Sequence, residues 1–192
     1  MRYDKGHKET TRRRIVEVAA QSFRKQGIDG IGVADLMEKA GLSHGGFYAH
    51  FSSKDALVRE ALAESFERGR ARWRQREEKE GDQIEGLIRH YLRPEHRDQP
   101  EKGCAAACLA PEVARQSKAT REVFTANLAE TLAHIQARLP ECGSPAQRRK
   151  TAIAIFATMM GALQLARTTS DPEQSDEMLE AGIEAACKLA RG

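Results

Sequence analysis

Two short helical patterns with one glycine between them lie at residues 33–51, and they constrain the fold more than any other feature of the chain. Apolar residues recur at helical spacing over residues 33–40. Gly41 interrupts the pattern, which resumes at residues 42–51, where Phe47 and Phe51 lie one turn apart. Two helices joined by a short turn that contains glycine are the sequence form of a helix-turn-helix. The chain is therefore predicted to contain this motif near its amino terminus.

The second helix of the motif is unusual for a core helix, because Gly45 and Gly46 are adjacent near its start. Each glycine weakens a helix by roughly 1 kcal/mol relative to alanine. Such a pair makes sense where the backbone must approach something bulky, and a DNA groove is one such partner. Ser43 is expected to cap this helix, leaving backbone N–H groups that point outward and favour an anion.

The positive charge of the chain is concentrated around this motif. The 192 residues have a formal net charge of +3. Residues 1–54 contain 10 Lys and Arg and 6 Asp and Glu, a net of +4, and the remaining 21 basic and 22 acidic residues leave the rest at −1. A basic module on a nearly neutral body is typical of a protein that faces phosphate through one of its parts.

Helical patterns flank the motif on both sides. Thr10 and Thr11 are predicted to cap a first helix, which would place the basic run at residues 12–14 in its first turn. A long helix is expected to follow the motif, and over residues 68–80 it is almost wholly charged apart from Trp73. A helix that is apolar at one end and charged at the other indicates a connector between two bodies.

Residues 10–60 resemble, in order and without gaps, the DNA-binding domain of the TetR family of bacterial transcriptional regulators. The residues that carry the resemblance are Ile15, Phe23, Gly27, Val33, Leu36, Ala40, Gly41, Leu42, Ser43, Phe47, Tyr48, His50, Phe51, Ser53, Lys54 and Leu57. Gly32 and Gly46 depart from the family, whose members more often have Ser or Thr there. The resemblance implies an all-α fold: a three-helix helix-turn-helix domain, residues 1–54, joined by a long helix to a larger helical ligand-sensing and dimerisation domain, residues 55–192.

The resemblance also implies a function. A family member would be a ligand-responsive transcriptional regulator, in the first instance a repressor, that binds a palindromic DNA operator as a homodimer and is released by a small-molecule effector. Two alternatives stay open: a cysteine-based sensor of oxidants or electrophiles that acts through Cys104, and a DNA-binding protein without a ligand.

The expected DNA contacts lie on and beside the second helix of the motif. They are Ser43, His44, Gly45, Gly46, Phe47, Tyr48, His50 and Lys54. Tyr48 and Lys54 are predicted to contact phosphate, since a hydroxyl and an ammonium group are suited to it. His44 lies at the end that enters the major groove first and is the predicted base reader. For His50, a phosphate contact and local packing are equally compatible with the sequence.

Residues 81–192 show only helical signals. The segment at residues 146–168 is apolar over most of its surface, and such a helix needs cover on every side. Together with the last helix it could complete a monomer core or pair with a second copy of the chain. The family resemblance implies the second arrangement, in which the final two helices of two copies form a four-helix dimer interface.

Candidate effector contacts can be chosen only as apolar or polarisable residues of these helices, and each is equally suited to the core. They are Leu87, Tyr91, Cys104, Cys108, Phe124, Leu128, Met159 and Leu163. Cys104 is a special case, because it follows Gly103 at a predicted helix start, where the positive end of the helix dipole favours the thiolate. Adduct formation is expected there rather than a disulfide with Cys108, which lies one turn further on; a small buried residue is the alternative.

Other classes of protein are not supported by the sequence. There is no Ser, His and Asp grouping, metal-ligand spacing or phosphate-binding glycine loop, so neither an enzyme, a cofactor nor a metal site is expected. Four cysteines are too few for a disulfide scaffold, and the charged amino terminus is not a signal peptide. No apolar run reaches the length of about 20 residues that spans a bilayer. A cytoplasmic protein without a membrane partner is the expectation.

Overall fold

A computed structural model describes residues 5–81, 83–141 and 143–192, and within them the chain forms nine α-helices, two short 3₁₀ segments and no strand. The α-helices are α1 (Lys5–Gln26), α2 (Val33–Lys39), α3 (Lys54–Glu80), α4 (Ile84–Tyr91), α5 (Pro94–Asp98), α6 (Ala105–Val113), α7 (Lys118–Gln136), α8 (Pro145–Thr168) and α9 (Pro172–Arg191). The 3₁₀ segments are His44–Ala49 and Pro100–Lys102. The all-α prediction is confirmed. Cys142, one of the four cysteines, lies outside the described residues.

The helix-turn-helix is built around a compact apolar cluster. Ile15 and Phe23 of α1, Leu36 of α2, and Phe47 and Phe51 are each at most 2% exposed. Apolar residues at helical spacing therefore form the core that the sequence predicted. The same cluster continues along α3 to Leu62 and includes Leu109 and Val113 of α6. The division of the chain at residue 54 stays a prediction.

Two details of the motif differ from expectation. The second helix, His44–Ala49, is a 3₁₀ segment of six residues rather than an α-helix, and Ser43 occupies its cap position without a side-chain cap hydrogen bond. Gly41 has a φ of +67°, and a Cβ there would lie 2.9 Å from Nη2 of Arg14. The turn therefore requires glycine at this position, both for its backbone conformation and for the approach of Arg14.

The expected start of the first helix is wrong. Helix α1 already includes Lys5, so Thr10 and Thr11 lie in its interior, and the hydroxyl of Thr10 donates to the carbonyl of Gly6 at 2.9 Å. The basic run at residues 12–14 is consequently in the second and third turns, where the charge of the helix dipole is weaker.

Helix α3 is the long connector that the sequence predicted. It begins after Ser53, whose hydroxyl accepts a hydrogen bond from the backbone N–H of Ala56 at 3.1 Å. Its first half belongs to the helix-turn-helix cluster, and Phe66 belongs to a second cluster formed with α4, α6, α7, α8 and α9. A single helix thus contributes to both apolar cores.

Helix α6 continues through Pro111 without a break. Proline lacks an N–H, so the carbonyl of Ala107, four residues earlier, has no donor within the helix. The side-chain amide of Gln164 on α8 donates to that carbonyl. The orphaned acceptor is therefore satisfied from a neighbouring helix, and α6 runs on to Val113.

Helices α8 and α9 form the most extensive helix–helix contact, and the close approach depends on Gly182, where a Cβ would lie 2.3 Å from that of Ala162.

Contrary to the sequence expectation, α8 is long and apolar enough to cross a membrane by length and composition, with a hydropathy of 1.2 in an 18-residue window. One such helix is weak evidence for a span, because core helices pass the same test. One third of that window is buried inside the protein.

Candidate nucleic-acid interface and internal cavity

The 3₁₀ segment His44–Ala49 and the residue before it present a polar surface to solvent. Ser43, His44 and Gly45 are exposed, and Tyr48 is 71% exposed. A Cβ at Gly45 would meet no atom within 4 Å, and one at Gly46 would meet none closer than 3.7 Å. The fold itself therefore does not require either glycine, and the surface they leave is flat and open.

Phe47 holds this surface in place rather than forming part of it. Its side chain is 1% exposed and stacks on Phe51, with the ring centroids 5.7 Å apart. The Tyr48 ring meets the edge of Phe47 at 5.3 Å and an interplanar angle of 82°. Of the predicted contacts, Phe47 is thus an interior anchor, and Tyr48 projects outward from it.

Lys54 is engaged within the chain, and His50 is partly withdrawn from solvent. The Lys54 ammonium donates to the carbonyl of Ile31 at 2.8 Å, across the loop that precedes α2. His50 is half-buried, and burial, followed by the nearby charges of Lys8 and Arg12, lowers its pKa. Lys54 is therefore less free for phosphate than the sequence suggested, whereas Nδ1 of His50 has no hydrogen-bond partner among the described residues.

Arg12 has a structural role that the sequence did not reveal. Its guanidinium donates to the carbonyl of His50 and pairs with Glu60 of α3. It also lies over the Phe51 ring, 4.1 Å from the centroid. Arg12 therefore joins α1, the carboxyl end of the 3₁₀ segment and α3, which fixes the exposed surface relative to the rest of the motif.

A cavity of about 180 Å³ lies between α3, α4 and the stretch from α5 to the start of α6. Its wall combines aromatic, cationic and thiol side chains. The lining residues are Ser65, Phe66, Gly69, Arg70, Arg72, Trp73, His90, Tyr91, Arg93, Glu95, His96, Gln99, Lys102, Gly103, Cys104, Ala105 and Thr131.

Of the eight candidate effector contacts, the structure brings Tyr91 and Cys104 to this wall. Of the other six, five lie in the second cluster or at its edge, and Cys108 packs against the helix-turn-helix cluster. Leu87, Met159 and Leu163 are at most 2% exposed in the core, Phe124 and Leu128 pack against it, and Cys108 lies beside Arg167, with its Sγ 3.4 Å from Nη1. Burial raises the pKa of the Cys108 thiol.

His96 organises one side of the cavity. Its Nε2 accepts the backbone N–H of Cys104 at 2.9 Å, so its Nδ1 carries the proton and donates to the carbonyl of Tyr91 at 2.6 Å. Burial, and after it the charge of Arg167, lowers the pKa of His96 to about 4. The imidazole is therefore neutral at ordinary pH, with both nitrogens occupied.

The Tyr91 hydroxyl is the unsatisfied polar group of this wall. The residue is 2% exposed, and its oxygen has no hydrogen-bond partner of normal geometry among the described residues, although the Cys104 thiol lies beside it. Burial, and then the neighbouring thiol, raises the pKa of Tyr91 well above its ordinary value. A buried hydroxyl without a partner is uncommon and points to a function or to a missing ligand.

Two contacts connect the cavity region to the helix-turn-helix. Helix α6 starts at the cavity wall, and near its other end the Glu112 carboxylate accepts the backbone N–H of Ile28 at 2.6 Å, just after α1. Arg24 of α1 is 6% exposed and donates through Nε to the carbonyl of Glu101 at 2.9 Å, in the 3₁₀ segment beside the cavity. Burial lowers the pKa of Arg24 to about 10.

Comparison with known proteins places this arrangement in a family. The model for bacterial regulatory proteins of the tetR family matches residues 15–61, the helix-turn-helix and the start of α3. The model for the carboxy-terminal domain of LmrA/YxaF-like transcriptional regulators matches residues 82–181, more than half of the chain. The protein belongs to the tetR family of bacterial regulatory proteins. It is a transcriptional regulator of the DNA-binding helix-turn-helix type.

Curated relatives of this tetR-family protein match it over the DNA-binding part. TtgR of Pseudomonas putida, an HTH-type transcriptional regulator, is 37% identical over 62 residues, 32% of this chain and 30% of that protein. The uncharacterised HTH-type regulator YvdT of Bacillus subtilis is 38% identical over 52 residues, 27% of this chain and 26% of that protein. The chain thus matches less than a third of the length of either relative.

Solved structures match the fold over nearly the whole chain. A TetR regulator from Chloroflexus aurantiacus has a TM-score of 0.74 and 27% identity, covering 97% of this chain and 95% of its own. The reduced form of Escherichia coli NemR has a TM-score of 0.73 and 22% identity, covering 93% and 96%. The expected architecture of a helix-turn-helix and a larger helical body is therefore confirmed at the level of the fold.

Proposed function

We propose that this tetR-family protein is a ligand-responsive repressor, which binds a palindromic operator as a cytoplasmic homodimer and is released when a small molecule occupies the cavity between α3 and α4. DNA binding is common to the family; the repressor role, the effector and the dimer are the proposed part.

The proposed DNA-facing surface is the exposed side of the 3₁₀ segment. Ser43, His44 and Gly45 are open to solvent, and a backbone without side chains at Gly45 can come close to a groove. Tyr48 offers a hydroxyl suited to phosphate, and His44 offers ring nitrogens suited to base edges. Lys54 acts mainly through position and charge, since its ammonium is held by the carbonyl of Ile31.

The position of α6 is the observation that carries the ligand response. Its amino-terminal end, with Cys104 and Ala105, lines the cavity, and Glu112 near its other end binds the turn after α1. Leu109 and Val113 also pack in the apolar cluster of the helix-turn-helix. A molecule that displaces the start of α6 would therefore act directly on the orientation of the DNA-binding part. Binding at the cavity and binding to DNA would then be linked by a coupling free energy.

The proposed dimer uses the outer face of α8 and α9. Ile153, Leu165 and Leu189 are large apolar side chains that are 45%, 55% and 39% exposed in the single chain. On α8 the exposed positions Ile153, Ala157 and Leu165 fall at multiples of four residues, so they form one stripe. An exposed apolar stripe of this kind is typical of a face that a second chain covers.

Cys104 supports a second candidate, the sensing of electrophiles or oxidants. It is half-buried in the cavity wall, whereas Cys187 is buried in the core. An electrophile that enters the cavity would meet the Cys104 thiol beside Tyr91. The adduct would lie at the start of α6 and would act on the same helix as a reversible ligand.

The proposal is tested by combining a thermal-shift screen with operator binding. A duplex selected from random DNA by the protein itself serves as the operator, and its affinity is measured by fluorescence anisotropy at fixed salt. We expect at least one compound that raises the melting temperature to weaken operator binding by about tenfold or more, the range of an ordinary allosteric coupling.

A Cys104→Ser variant separates the candidates. Release by a reversible compound in both proteins supports the ligand-responsive repressor, and release that is lost only in the variant supports the cysteine sensor. If no compound that stabilises the protein changes operator affinity, the chain binds DNA without an effector and the proposal fails.

A further inference from the structure

We infer that the cavity selects an organic anion that carries an aromatic ring, such as an aromatic carboxylate, over neutral and cationic molecules of the same shape. This inference rests on the proposed function, because it names the chemical class of the effector. Three features of the wall carry it: an excess of cations, an aromatic surface, and a buried hydroxyl without a hydrogen-bond partner.

Cationic side chains outnumber acidic ones in the wall. It contains Arg70, Arg72, Arg93 and Lys102, against one carboxylate, that of Glu95. Arg70 is already paired with glutamates of α3 and α7, and Arg93 lies 3.7 Å from Glu95. The positive charge that remains is therefore that of Arg72 and Lys102.

Arg72 and Lys102 have no acidic partner among the residues that the structure describes. The Lys102 ammonium donates to the amide oxygen of Gln99 at 2.9 Å, and no hydrogen bond or ion pair involves the Arg72 guanidinium within the described part of the chain. Burial, and next the charge of Arg68, lowers the pKa of Arg72. A negative group at the cavity mouth would relieve this repulsion between cations.

The inner wall is aromatic. Trp73 is half-buried and stacks on His134, with ring centroids 5.2 Å apart and 28° between the planes. Tyr91 meets the ring of Phe156 at 6.1 Å, and Phe66 closes the wall beside them. Inorganic anions gain nothing from such a surface, whereas a flat ring gains contact area and favourable ring–ring geometry.

One polar group of the wall lacks a hydrogen-bond partner. The Tyr91 hydroxyl is buried without an acceptor, and a ligand oxygen would provide one. His96 cannot act as a donor to the ligand, because its Nδ1 proton is bound to the carbonyl of Tyr91 and its Nε2 accepts from Cys104. A cationic ligand would find one carboxylate in this wall, that of Glu95, which already lies close to Arg93.

The test uses three probes with the same ring and chain and different charge: 3-phenylpropanoate, 3-phenylpropanamide and 3-phenylpropylamine. Trp73 is the single tryptophan of the chain and lines the cavity, so its fluorescence reports binding at this site. Molecules of this size bind with dissociation constants on the order of millimolar. We expect the full-length protein to bind the anion about tenfold more tightly than the amide, and the amine least tightly.

Two substitutions and one control locate the effect. Arg72→Gln is expected to lower anion affinity about threefold to fivefold and to leave amide affinity unchanged, because the charge pair at the exposed mouth is screened by solvent. Tyr91→Phe is expected to weaken both oxygen-bearing probes. Arg89→Gln removes an exposed charge on α4 outside the wall and should retain the tenfold preference.

The outcomes separate this inference from the proposed function. Equal or tighter binding of the amide or the amine, or a preference that survives Arg72→Gln intact, overturns the selection for anions, while operator release by another molecule still supports the ligand-responsive repressor. Failure of all three probes to change Trp73 fluorescence overturns the inference, and only the separate absence of any operator release overturns the proposed function.

Discussion

The neutral His96 makes the stability of the protein sensitive to acid in a way that can be calculated. Its Nε2 accepts the Cys104 N–H at 2.9 Å, so a proton on that nitrogen would place two N–H groups against each other. Gly103 allows this geometry, because a Cβ there would lie 2.9 Å from the imidazole ring. The folded protein therefore resists protonation at His96 until the pH falls to about 4.

The magnitude follows from the difference in pKa between the two states. The pKa of a histidine is near 6.5 in the unfolded chain, and that of His96 in the folded protein is about 4. Below pH 6.5 the unfolded chain binds a proton that the folded chain does not, so stability falls as the pH falls. The loss from this one group is about 2 kcal/mol at pH 5 relative to pH 8, and approaches roughly 3.4 kcal/mol below pH 4.

Urea unfolding followed by circular dichroism at pH 5, 6, 7 and 8, at one protein concentration, measures this loss. The His96→Gln variant cannot titrate at this position and is expected to be less stable at pH 8 but to lose about 2 kcal/mol less than the wild type on going to pH 5. The other histidines titrate in both proteins and cancel in the difference. Parallel pH profiles would show that His96 is not held neutral, and would refute the tautomer assigned here.

The remaining predictions concern the DNA surface and the dimer. Tyr48→Phe should weaken binding to all DNA sequences by roughly 1 kcal/mol, whereas His44→Ala should change the preference among sequences in a selection experiment; equal loss by both variants on every sequence would contradict this division. Leu165→Arg places a charge on the exposed stripe of α8 and should lower the sedimentation mass from twice 21.3 kDa to 21.3 kDa without loss of helicity. A wild-type mass of 21.3 kDa would itself exclude the dimer.

The helix-turn-helix could be predicted from the sequence because its evidence is local. The apolar spacing, Gly41 and the Ser53 cap all lie within a few residues of the structure they determine. The 3₁₀ form of the second helix was missed because a helix cap and one apolar pair do not distinguish the two helix types over six residues. The continuity of α6 depends on Gln164, which no pattern around Pro111 could indicate.

The cavity could be predicted only in part, and for a physical reason. The sequence predicts an apolar lining, yet apolar residues with helical spacing, such as Leu87 and Met159, fill the core. Part of the wall comes instead from the charged run of α3, at Arg70, Arg72 and Trp73, which as a sequence is indistinguishable from a solvated connector. Within this run, the sequence indicates a covered surface only through Trp73. A large aromatic residue inside a charged run is expected where another part of the protein packs over it.

Helix α3 also connects the cavity wall to α1. Ser65, which lines the cavity from α3, also receives a hydrogen bond from Arg24 of α1, and Arg24 donates in turn to the carbonyl of Glu101. Arg24 is thus a buried charge held by acceptors from two other segments. Removing either acceptor would leave part of the buried guanidinium without a hydrogen bond, which costs free energy. A shift of the Pro100–Lys102 segment that follows ligand entry must either carry Arg24 with it or break this bond. Arg12 of the same helix bonds the carbonyl of His50 and pairs with Glu60, so under the proposed function either outcome would alter the support of the proposed DNA-facing surface.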